Sequence, residues 1–277
     1  MLGGVKMQII DGVKVRSELL EEYKKKISDN NLDISLVIIQ IGNNEASNTY
    51  VKNKIKYCEK VGIKVEVNKL DEAVSEEEVI NLIKELNDSD VTGIILQSPT
   101  PKHINFIKCA RLIDSSKDVD GLCEDNLFGL RDNNEKILPC TVKGILRLFD
   151  YYNIDLVGKN IVVVGRGNLV GRPLFDALVN RDATVTLCHS KTKDLSLYTK
   201  NADIVISAVG KSDLVTKDMV SDGFIGIDVG INFVDGKLVG DMSKDVGDKA
   251  SYLTLVPGGV GPMTVAMIID NLIELKK

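Results

Sequence analysis

The chain has 277 residues, of which 44% are hydrophobic and 27% are charged, and its formal net charge is −5. This length exceeds that of a typical single domain, so we predict two globular domains. The acidic balance, without a long basic run, argues against nucleic acid and anionic membrane as main partners. The apolar runs are too short to span a bilayer, and residues 1–6 lack the apolar stretch of a signal peptide.

The five cysteines are spread widely along the chain, at Cys58, Cys109, Cys123, Cys140 and Cys188. An odd number without a close pair argues against both a disulfide framework and a zinc site. We therefore expect no metal centre, and the reducing cytoplasm fits this cysteine usage.

The first half of the chain alternates predicted strands and helices. Strands are predicted over residues 34–41, 63–70 and 93–97, and helices over 45–61, 75–87, 104–113 and 141–152. Ser75 and Glu78 have the spacing of a capping box at the start of their helix. Thr141 is predicted to be the N-cap of the last of these helices.

From residue 160 onwards the alternation becomes clearer. Strands are predicted over residues 161–164, 184–188, 203–207, 224–228 and 252–256. Strands that alternate with helices form a parallel sheet, and ligands bind at the carboxyl ends of such strands. The five predicted ends are Gly-rich or polar: Gly165-Arg166-Gly167, His189-Ser190, Ala208-Val209-Gly210, Gly230-Ile231-Asn232 and Pro257-Gly258-Gly259. We therefore expect one ligand crevice at this edge.

A glycine-rich turn follows the first of these strands. Residues 165–171 read Gly-Arg-Gly-Asn-Leu-Val-Gly, so the third glycine falls one position late for the G-x-G-x-x-G pattern. The pattern alone is weak, but its place between a strand and a helix favours a phosphate site. The N–H groups at the helix N-terminus would receive the phosphate.

The end of the second strand bears on the choice of cofactor. A site for unphosphorylated NAD usually has an acidic residue there, which binds the ribose hydroxyls. Here the strand is followed by His189, Ser190, Lys191 and Lys193, and Arg166 adds a cation from the neighbouring turn. This set favours NADP, with its additional phosphate. A solvated loop remains open for both lysines, as does an ordinary packing role for His189.

Residues 257–264 (PGGVGPMT) hold three glycines and two prolines between an apolar strand and an apolar helix. Glycine allows close approach of the backbone to a ligand, and proline suits the first turn of a helix. We predict a rigid loop that lines a ligand, with the helix beginning near Pro262. A simple strand-to-helix connector is the alternative.

Tyr50 and Lys54 lie four residues apart on a predicted helix and therefore share a face. A surface pair is the alternative. Short-chain dehydrogenases also use a Tyr-x-x-x-Lys pair, but there it follows the Gly-rich turn, whereas here it precedes it. Gln97 ends a predicted strand and Asp120 lies in an acidic turn, and each alone could be an ordinary loop residue.

Taken together, these segments resemble the bifunctional methylenetetrahydrofolate dehydrogenase/cyclohydrolase family over nearly the whole chain. The matching segments are Ala46-Ser47-x-x-Tyr50-Val51-x-x-Lys54, Gln97-x-Pro99-x-Pro101, Lys117-Asp118-Val119-Asp120-Gly121, Pro139-Cys140-Thr141, Gly165-Arg166 with Val170-Gly171-Arg172-Pro173, residues 227–232 (IDVGIN) and residues 257–264. Their number and order make the resemblance specific.

The resemblance implies an α/β protein of two domains, with a cleft that holds folate and NADP. Residues 1–141 and 263–277 would form the folate-binding domain, and residues 142–262 a Rossmann-type nucleotide domain with a parallel sheet. The C-terminal helix would return to the first domain. The implied reactions are oxidation of 5,10-methylenetetrahydrofolate and hydrolysis of the product to 10-formyltetrahydrofolate. A homodimer is implied as well.

The resemblance also implies roles for individual residues. Lys54 would be the general acid/base of the hydrolysis, held by Gln97, while Tyr50 would stack on the folate. Asp120 would accept hydrogen bonds from the pterin. The residues expected to bind the nucleotide are Gly165, Arg166, Gly167, Ser190 and Ile231. Gly259 and Pro262 are expected to contact the folate.

The chain departs from the family pattern at four positions. Ser98 and Thr100 replace leucines, Gly167 replaces serine, and Val142 stands where proline is common. Two other hypotheses stay open at this point. One is a dehydrogenase with weak hydrolysis, and the other is a nucleotide-binding sensor without catalysis.

Overall fold

The structure is a computed structural model that describes residues 7–277. Residues 1–6, where the sequence lacks the apolar stretch of a signal peptide, lie outside this range. The chain folds into two compact units. The larger-sheet unit comprises residues 7–16 and 141–264, and the smaller-sheet unit comprises residues 17–140 and 265–277.

The helices of the described residues are α1 (Gly12–Asp29), α2 (Glu45–Lys60), α3 (Glu76–Asn87), α4 (Phe106–Ala110), α5 (Glu124–Arg131), α6 (Cys140–Tyr151), α7 (Gly171–Val179), α8 (Ser196–Thr199) and α9 (Val260–Leu275). The strands are β1 (Gln8–Ile10), β2 (Ser35–Ile41), β3 (Lys64–Leu70), β4 (Gly93–Leu96), β5 (Asn160–Val164), β6 (Thr184–Cys188), β7 (Ile204–Ser207), β8 (Ile225–Asp228), β9 (Asn232–Val234), β10 (Lys237–Val239) and β11 (Tyr252–Thr254). None of these helices combines the length and apolar character needed to cross a membrane.

The larger-sheet unit contains a six-stranded sheet in the order β1-β11-β8-β7-β5-β6. All its strand pairs are parallel, which confirms the predicted parallel sheet. Strands β5 and β7 are almost wholly buried, because β-branched residues fill both of their faces. The carboxyl ends of β5, β6, β7, β8 and β11 therefore lie at one edge, as predicted.

The smaller-sheet unit contains a three-stranded parallel sheet in the order β3-β2-β4. Apolar residues of β2, β4 and α3 form its core, including Ile39, Ile94 and Ile83. Residues 265–277 belong to this unit. The predicted return of the C-terminal helix is therefore confirmed.

Two helix starts were predicted, with different outcomes. At α3 the capping box is present, because the Glu78 N–H donates to Ser75 Oγ (3.2 Å) and the Ser75 N–H donates to Glu78 Oε2 (3.0 Å). The prediction for Thr141 is wrong, because α6 already begins at Cys140 and Thr141 lies in its first turn. The Thr141 hydroxyl instead lies 3.3 Å from that of Thr264.

The N-terminal strand β1 was not predicted. It pairs in parallel with β11, and this pairing groups residues 7–16 with the larger sheet. The sequence-based limits placed these residues with the folate-binding domain. The boundaries between the two units otherwise fall at residues 140/141 and 264/265, close to the predicted limits of 141/142 and 262/263. Whether these limits separate independent folding domains stays a prediction.

Candidate active site and nucleotide site

Helix α2 carries Tyr50 and Lys54 and is fixed to the adjacent strand at its start. Gln40 on β2 donates from Nε2 to Asn48 Oδ1 (2.7 Å) and to Ser47 Oγ (3.3 Å). Because Gln40 is buried in the sheet, these bonds set where the first turn of α2 lies. Tyr50 and Lys54 follow in the next turns.

Tyr50 and Lys54 have different environments although they lie one turn apart. The Tyr50 side chain is 39% exposed, whereas Lys54 is 9% exposed. Partial burial raises the pKa of Tyr50. Lys54 forms no ion pair with any carboxylate among residues 7–277. Burying a lysine without a partner acid costs free energy, and a lysine with only a surface role would not need to be buried. This environment therefore favours a functional role for Lys54.

Gln97 directly follows β4 and is buried. Its backbone N–H donates to Ile39 O of β2 (2.8 Å), and its Nε2 donates to the carbonyl of Ser98. Within residues 7–277 its Oε1 has no hydrogen-bond partner. A buried acceptor without a donor is rare in a folded protein and indicates a place for a ligand or a cationic group.

Asp120 lies in a turn that the sheet itself holds in place. Ile94 of β4 forms a parallel bridge with Asp118, so residues 118–120 run toward the same carboxyl edge as Gln97. Asp118 is buried and accepts hydrogen bonds from Cys123 N–H (2.7 Å) and Asn126 Nδ2 (3.0 Å). Burial raises the pKa of Asp118. Asp120 is only half-buried, so the two carboxylates lie in different environments.

In the larger-sheet unit, the turn after β5 is closed tightly by its glycines. Gly165 has a φ of +113°, and a Cβ there would lie 2.5 Å from Ala208 O. A Cβ on Gly171 would lie 1.9 Å from Gly165 O. Side chains at both positions are therefore excluded, and the backbone passes directly into α7.

The other residues of this turn face open space. Arg166 and Gly167 are exposed, and a Cβ on Gly167 would meet no atom within 4 Å. The N-terminus of α7 has no side-chain cap at Val170. Arg172 N–H donates to Gly167 O (3.1 Å) and Pro173 has no N–H, so the exposed Arg166 and the positive end of the helix dipole are the features that suit a phosphate group.

The segment after β6 forms a local turn without an acidic residue. His189 Nδ1 accepts a hydrogen bond from Lys191 N–H (3.1 Å), and the His189 N–H donates to Thr192 Oγ1 (3.0 Å). His189 therefore stabilises the turn, which agrees with the ordinary packing role that was its alternative. Ser190 and Lys191 are exposed beside the β5 turn, because β6 pairs with β5. This arrangement suits the additional phosphate of NADP.

Ile231 is exposed after β8, next to a buried pair of acids that the sequence analysis missed. Asp228 accepts hydrogen bonds from Gly230 N–H (3.1 Å), Asp241 N–H (2.9 Å) and Met242 N–H (2.9 Å). A Cβ on Gly230 would lie 2.0 Å from Asp241 Oδ1. The backbone next to Ile231 is thus fixed by Asp228 and Asp241.

Asp241 itself joins the loops that follow β7 and β8. Its carboxylate accepts hydrogen bonds from Ser207 Oγ (3.0 Å), Val209 N–H (2.7 Å), Gly210 N–H (3.3 Å), Lys211 N–H (2.8 Å) and Asn232 Nδ2 (3.1 Å). Neither sequence periodicity nor a local motif connects these residues. The pair fixes the carboxyl edge of the sheet where a nucleotide is expected.

The loop over residues 257–264 uses its glycines partly for internal packing. Gly258 has a φ of +115°, and its carbonyl accepts hydrogen bonds from the N–H groups of Gly12 (2.9 Å) and Val13 (3.2 Å) at the start of α1. Gly259 is buried, and a Cβ there would lie 2.7 Å from Thr254 Cβ. Pro262 is half-buried in the first turn of α9, which begins at Val260. These contacts agree with a rigid connector, and a folate contact at Gly259 or Pro262 stays a prediction.

The predicted residues thus form two groups. Tyr50, Lys54, Gln97 and Asp120 lie in the smaller-sheet unit, whereas Gly165, Arg166, Gly167, Ser190, Ile231, Gly259 and Pro262 lie in the larger-sheet unit. Across residues 7–277, no cluster of three or more His, Cys, Asp or Glu side chains has the arrangement of a metal site.

Comparison with known proteins identifies two domains of one family in this chain. Residues 10–120 match the catalytic domain of the tetrahydrofolate dehydrogenase/cyclohydrolase family, and residues 139–277 match its NAD(P)-binding domain. The bifunctional protein FolD of Clostridium novyi is 47% identical over 271 residues, which cover 96% of this chain and 98% of the relative.

Solved structures give the same result. The bifunctional FolD enzyme of Campylobacter jejuni superimposes with a TM-score of 0.95 at 45% identity, covering 98% of both chains. The Trypanosoma brucei FolD, solved with NADP and an inhibitor, superimposes with a TM-score of 0.92 at 33% identity, covering 98% of this chain and 97% of that one. The chain therefore belongs to the tetrahydrofolate dehydrogenase/cyclohydrolase family.

Proposed function

We propose that this protein oxidises 5,10-methylenetetrahydrofolate to 5,10-methenyltetrahydrofolate with NADP and hydrolyses the product to 10-formyltetrahydrofolate. The observation that carries the proposal is the buried Lys54, which has no acidic partner among the described residues, in the same unit as the buried, unpaired acceptor Gln97 Oε1. Family membership supports it over the full chain.

The folate would be oriented by Asp120 and Tyr50. The pterin carries an amino group and a ring N–H, and a carboxylate accepts hydrogen bonds from both. Asp120 is half-buried, so it remains accessible to a ligand. The partly exposed Tyr50 offers a ring face on which the substrate would stack.

The cofactor would be held by the larger-sheet unit. NADP, when bound, accepts the hydride that leaves the methylene bridge of the folate. The N-terminus of α7 and the turn at Gly165 and Gly167 would hold the diphosphate, and Arg166 with Ser190 would hold the additional phosphate. Ile231 would pack against the nucleotide, while Gly259 and Pro262 would border the folate. These placements fit the open space at Gly167 and the absence of an acid directly after β6.

The hydrolysis needs proton transfers that Lys54 would perform. Water adds to the methenyl carbon, and the Lys54 amine accepts the proton that this water loses. The bond from that carbon to N5 then breaks, and N5 receives a proton from Lys54. The formyl group remains on N10, and one proton is released overall. Gln97 Oε1 would orient the amine by accepting one of its hydrogen bonds.

A spectroscopic assay with purified protein tests this proposal. Methenyltetrahydrofolate formation is measured first with NADP and then with NAD, and decay of added methenyltetrahydrofolate is measured separately. The proposal expects turnover in both assays. Binding of NADP without turnover in either assay would contradict it and support a nucleotide-binding sensor.

A dehydrogenase with weak hydrolysis is the second candidate. The polar Ser98 and Thr100 stand beside Gln97, and the Thr100 hydroxyl donates to Ile104 O (3.2 Å). The family pattern has leucines at residues 98 and 100, so the polar residues found here would change how Gln97 is held. Turnover in the first assay with little decay in the second would favour this candidate.

We also propose that the protein is a cytoplasmic homodimer. The five cysteines are buried and none of them forms a disulfide, which fits a reducing compartment. The family resemblance supports the dimer. Light scattering of the purified protein would give its mass in solution, and a value near the 30.3 kDa of one chain would contradict the dimer.

A further inference from the structure

We infer that Asn271, near the end of α9, is a positioning residue for Asp120 and thereby sets the affinity for the folate. This inference rests on the proposed function. Asn271 is completely buried and lies 152 positions after Val119. Nothing in the family resemblance gave it a role.

The Asn271 amide joins the two chain segments that surround the Asp120 turn. Its Nδ2 donates to Val119 O (2.8 Å) and to Leu138 O (3.0 Å). Cys140 Sγ also donates to Val119 O (3.2 Å). Val119 directly precedes Asp120, so its carbonyl, and with it the start of the Asp120 peptide, is held from α9.

The turn has little freedom to settle elsewhere. Gly121 has a φ of +66°, and a Cβ there would lie 2.6 Å from Leu138 C and Pro139 N. On the other side, Val119 fills the space that Gly93 leaves, because a Cβ on Gly93 would lie 2.2 Å from Val119 Cγ2. The turn is therefore confined between β4 and residues 138–139.

Of residues 118–120, Asp120 is the one whose side chain the protein core does not use. Asp118 is committed to Cys123 and Asn126, and Val119 is buried in the core. The half-buried Asp120 thus takes its direction from its fixed neighbours. Without the Asn271 amide, two buried carbonyls would lose a donor, and the turn would relax toward other hydrogen bonds.

A double-mutant cycle tests this inference. The variants are Asn271→Leu, which keeps the branched shape and the number of heavy atoms but cannot donate, Asp120→Ala, and the two combined. Affinity for 5,10-methylenetetrahydrofolate and for NADP is measured by calorimetry. We expect Asn271→Leu to weaken folate binding about fivefold or more, with NADP binding unchanged. In the Asp120→Ala background it should cause no further loss, because it acts through Asp120.

Two further variants separate positioning from general destabilisation. Ile83→Val removes a methyl group from a buried residue of α3 and should lower the melting temperature without changing folate affinity. Asn271→Ser keeps a shorter donor and should give an intermediate folate affinity. It also serves as the test variant if Asn271→Leu fails to fold.

The outcomes distinguish the inference from the proposed function. Wild-type protein that binds no folate would overturn the proposed function, and the inference with it. Wild-type folate affinity in Asn271→Leu or Asn271→Ser would overturn only the inference. An equal additional loss in the Asp120→Ala background would also overturn it, because Asn271 would then act independently of Asp120.

Discussion

The backbone N–H of Asp241 donates a 2.9 Å hydrogen bond to the carboxylate of Asp228, and both acids are buried. Burial, together with the nearby charge of Asp241, raises the pKa of Asp228 to about 6, although three backbone N–H donors oppose this rise. Asp228 therefore combines a structural role at the carboxyl edge of the sheet with a pKa of about 6.

The raised pKa of Asp228 predicts a pH-dependent contribution to stability. The native state holds this proton more tightly than the unfolded state, whose carboxyl has a pKa near 3.8. The contribution is complete below pH ~4 and is lost as pH rises through about 6. It amounts to roughly 3 kcal/mol, from about 1.4 kcal/mol for each pKa unit.

Comparison with Asp228→Asn isolates this contribution, because the amide stays uncharged. Urea unfolding of both proteins is measured at half-unit steps from pH 4 to pH 7. The free energy of unfolding of the wild type minus that of the variant should fall across this range and level off near pH 7. A constant difference would mean that Asp228 is ionised throughout and that its backbone donors outweigh burial.

The cofactor preference follows from the charges after β5 and β6. A charge-assisted hydrogen bond contributes about 1.5–3 kcal/mol, so kcat/KM with NADP should exceed that with NAD by about tenfold or more. Arg166→Ala should lower this ratio by reducing the rate with NADP alone. Lys200→Ala, at an exposed site before β7, is the matched control. Equal efficiency of the wild type with both cofactors would refute the assignment of Arg166 and Ser190.

Gly167→Ser extends this test by restoring the serine of the family pattern. A Cβ at residue 167 meets no atom within 4 Å, so the variant should be as stable as the wild type. Its hydroxyl should strengthen NADP binding by adding a donor to a phosphate. An unchanged affinity would place residue 167 away from the phosphates.

Lys54→Met should separate the two reactions. Proton transfer by a positioned acid/base accelerates a reaction about 10²–10⁴-fold, so cyclohydrolase activity should fall by that factor. Dehydrogenase activity should survive in part, because hydride transfer depends mainly on how the folate and the nicotinamide are positioned. Both rates are measured on the same preparation.

Lys52→Met is the matched control, because Lys52 is exposed on the same helix. This variant should keep both activities. An equal loss of both reactions in Lys54→Met would give Lys54 a role in placing the substrate. Full retention of both activities would mean that Tyr50 and Lys54 are a surface pair without a role in the reactions.

The buried thiols should resist modification in the native protein. Burial raises the pKa of Cys58 and of Cys123 to about 12, and the thiolate is the reactive form. All five cysteines are buried. With a disulfide reagent at pH 8 we expect slow reaction of the native protein and five rapidly reacting thiols in urea. A fast native thiol would identify a segment that opens readily.

Local patterns in the sequence predicted much of the fold. The apolar run of β2 and the spacing of Ser75 and Glu78 depend on neighbours within a few residues. Helix α1 was missed, although its buried Val15, Leu19 and Tyr23 recur at helical spacing. Strand β1 has only three residues and exists because β11 pairs with it, which no local pattern indicates.

The candidate site was predictable where a residue type implies its chemistry. The glycines around the β5 turn and the cations near it predict a phosphate site without knowledge of the fold. The residues that hold the site were not predictable in this way. Asp241 receives bonds from residues up to 34 positions away, and Asn271 acts on residues 133 and 152 positions away. In the sequence alone such residues cannot be distinguished from ordinary helix or loop residues, because their hydrogen-bond partners are distant along the chain.

The distance along the chain between Val119 and Asn271 also sets an order of events during synthesis. A ribosome adds about 5–20 residues per second, so the amide that holds the Asp120 turn is made roughly 8–30 s after the turn itself. Throughout that interval the carbonyls of Val119 and Leu138 lack the Asn271 donor. The Asp120 turn therefore gains its full set of hydrogen bonds only after residue 271 has been made, and a nascent chain lacks this support until α9 is present.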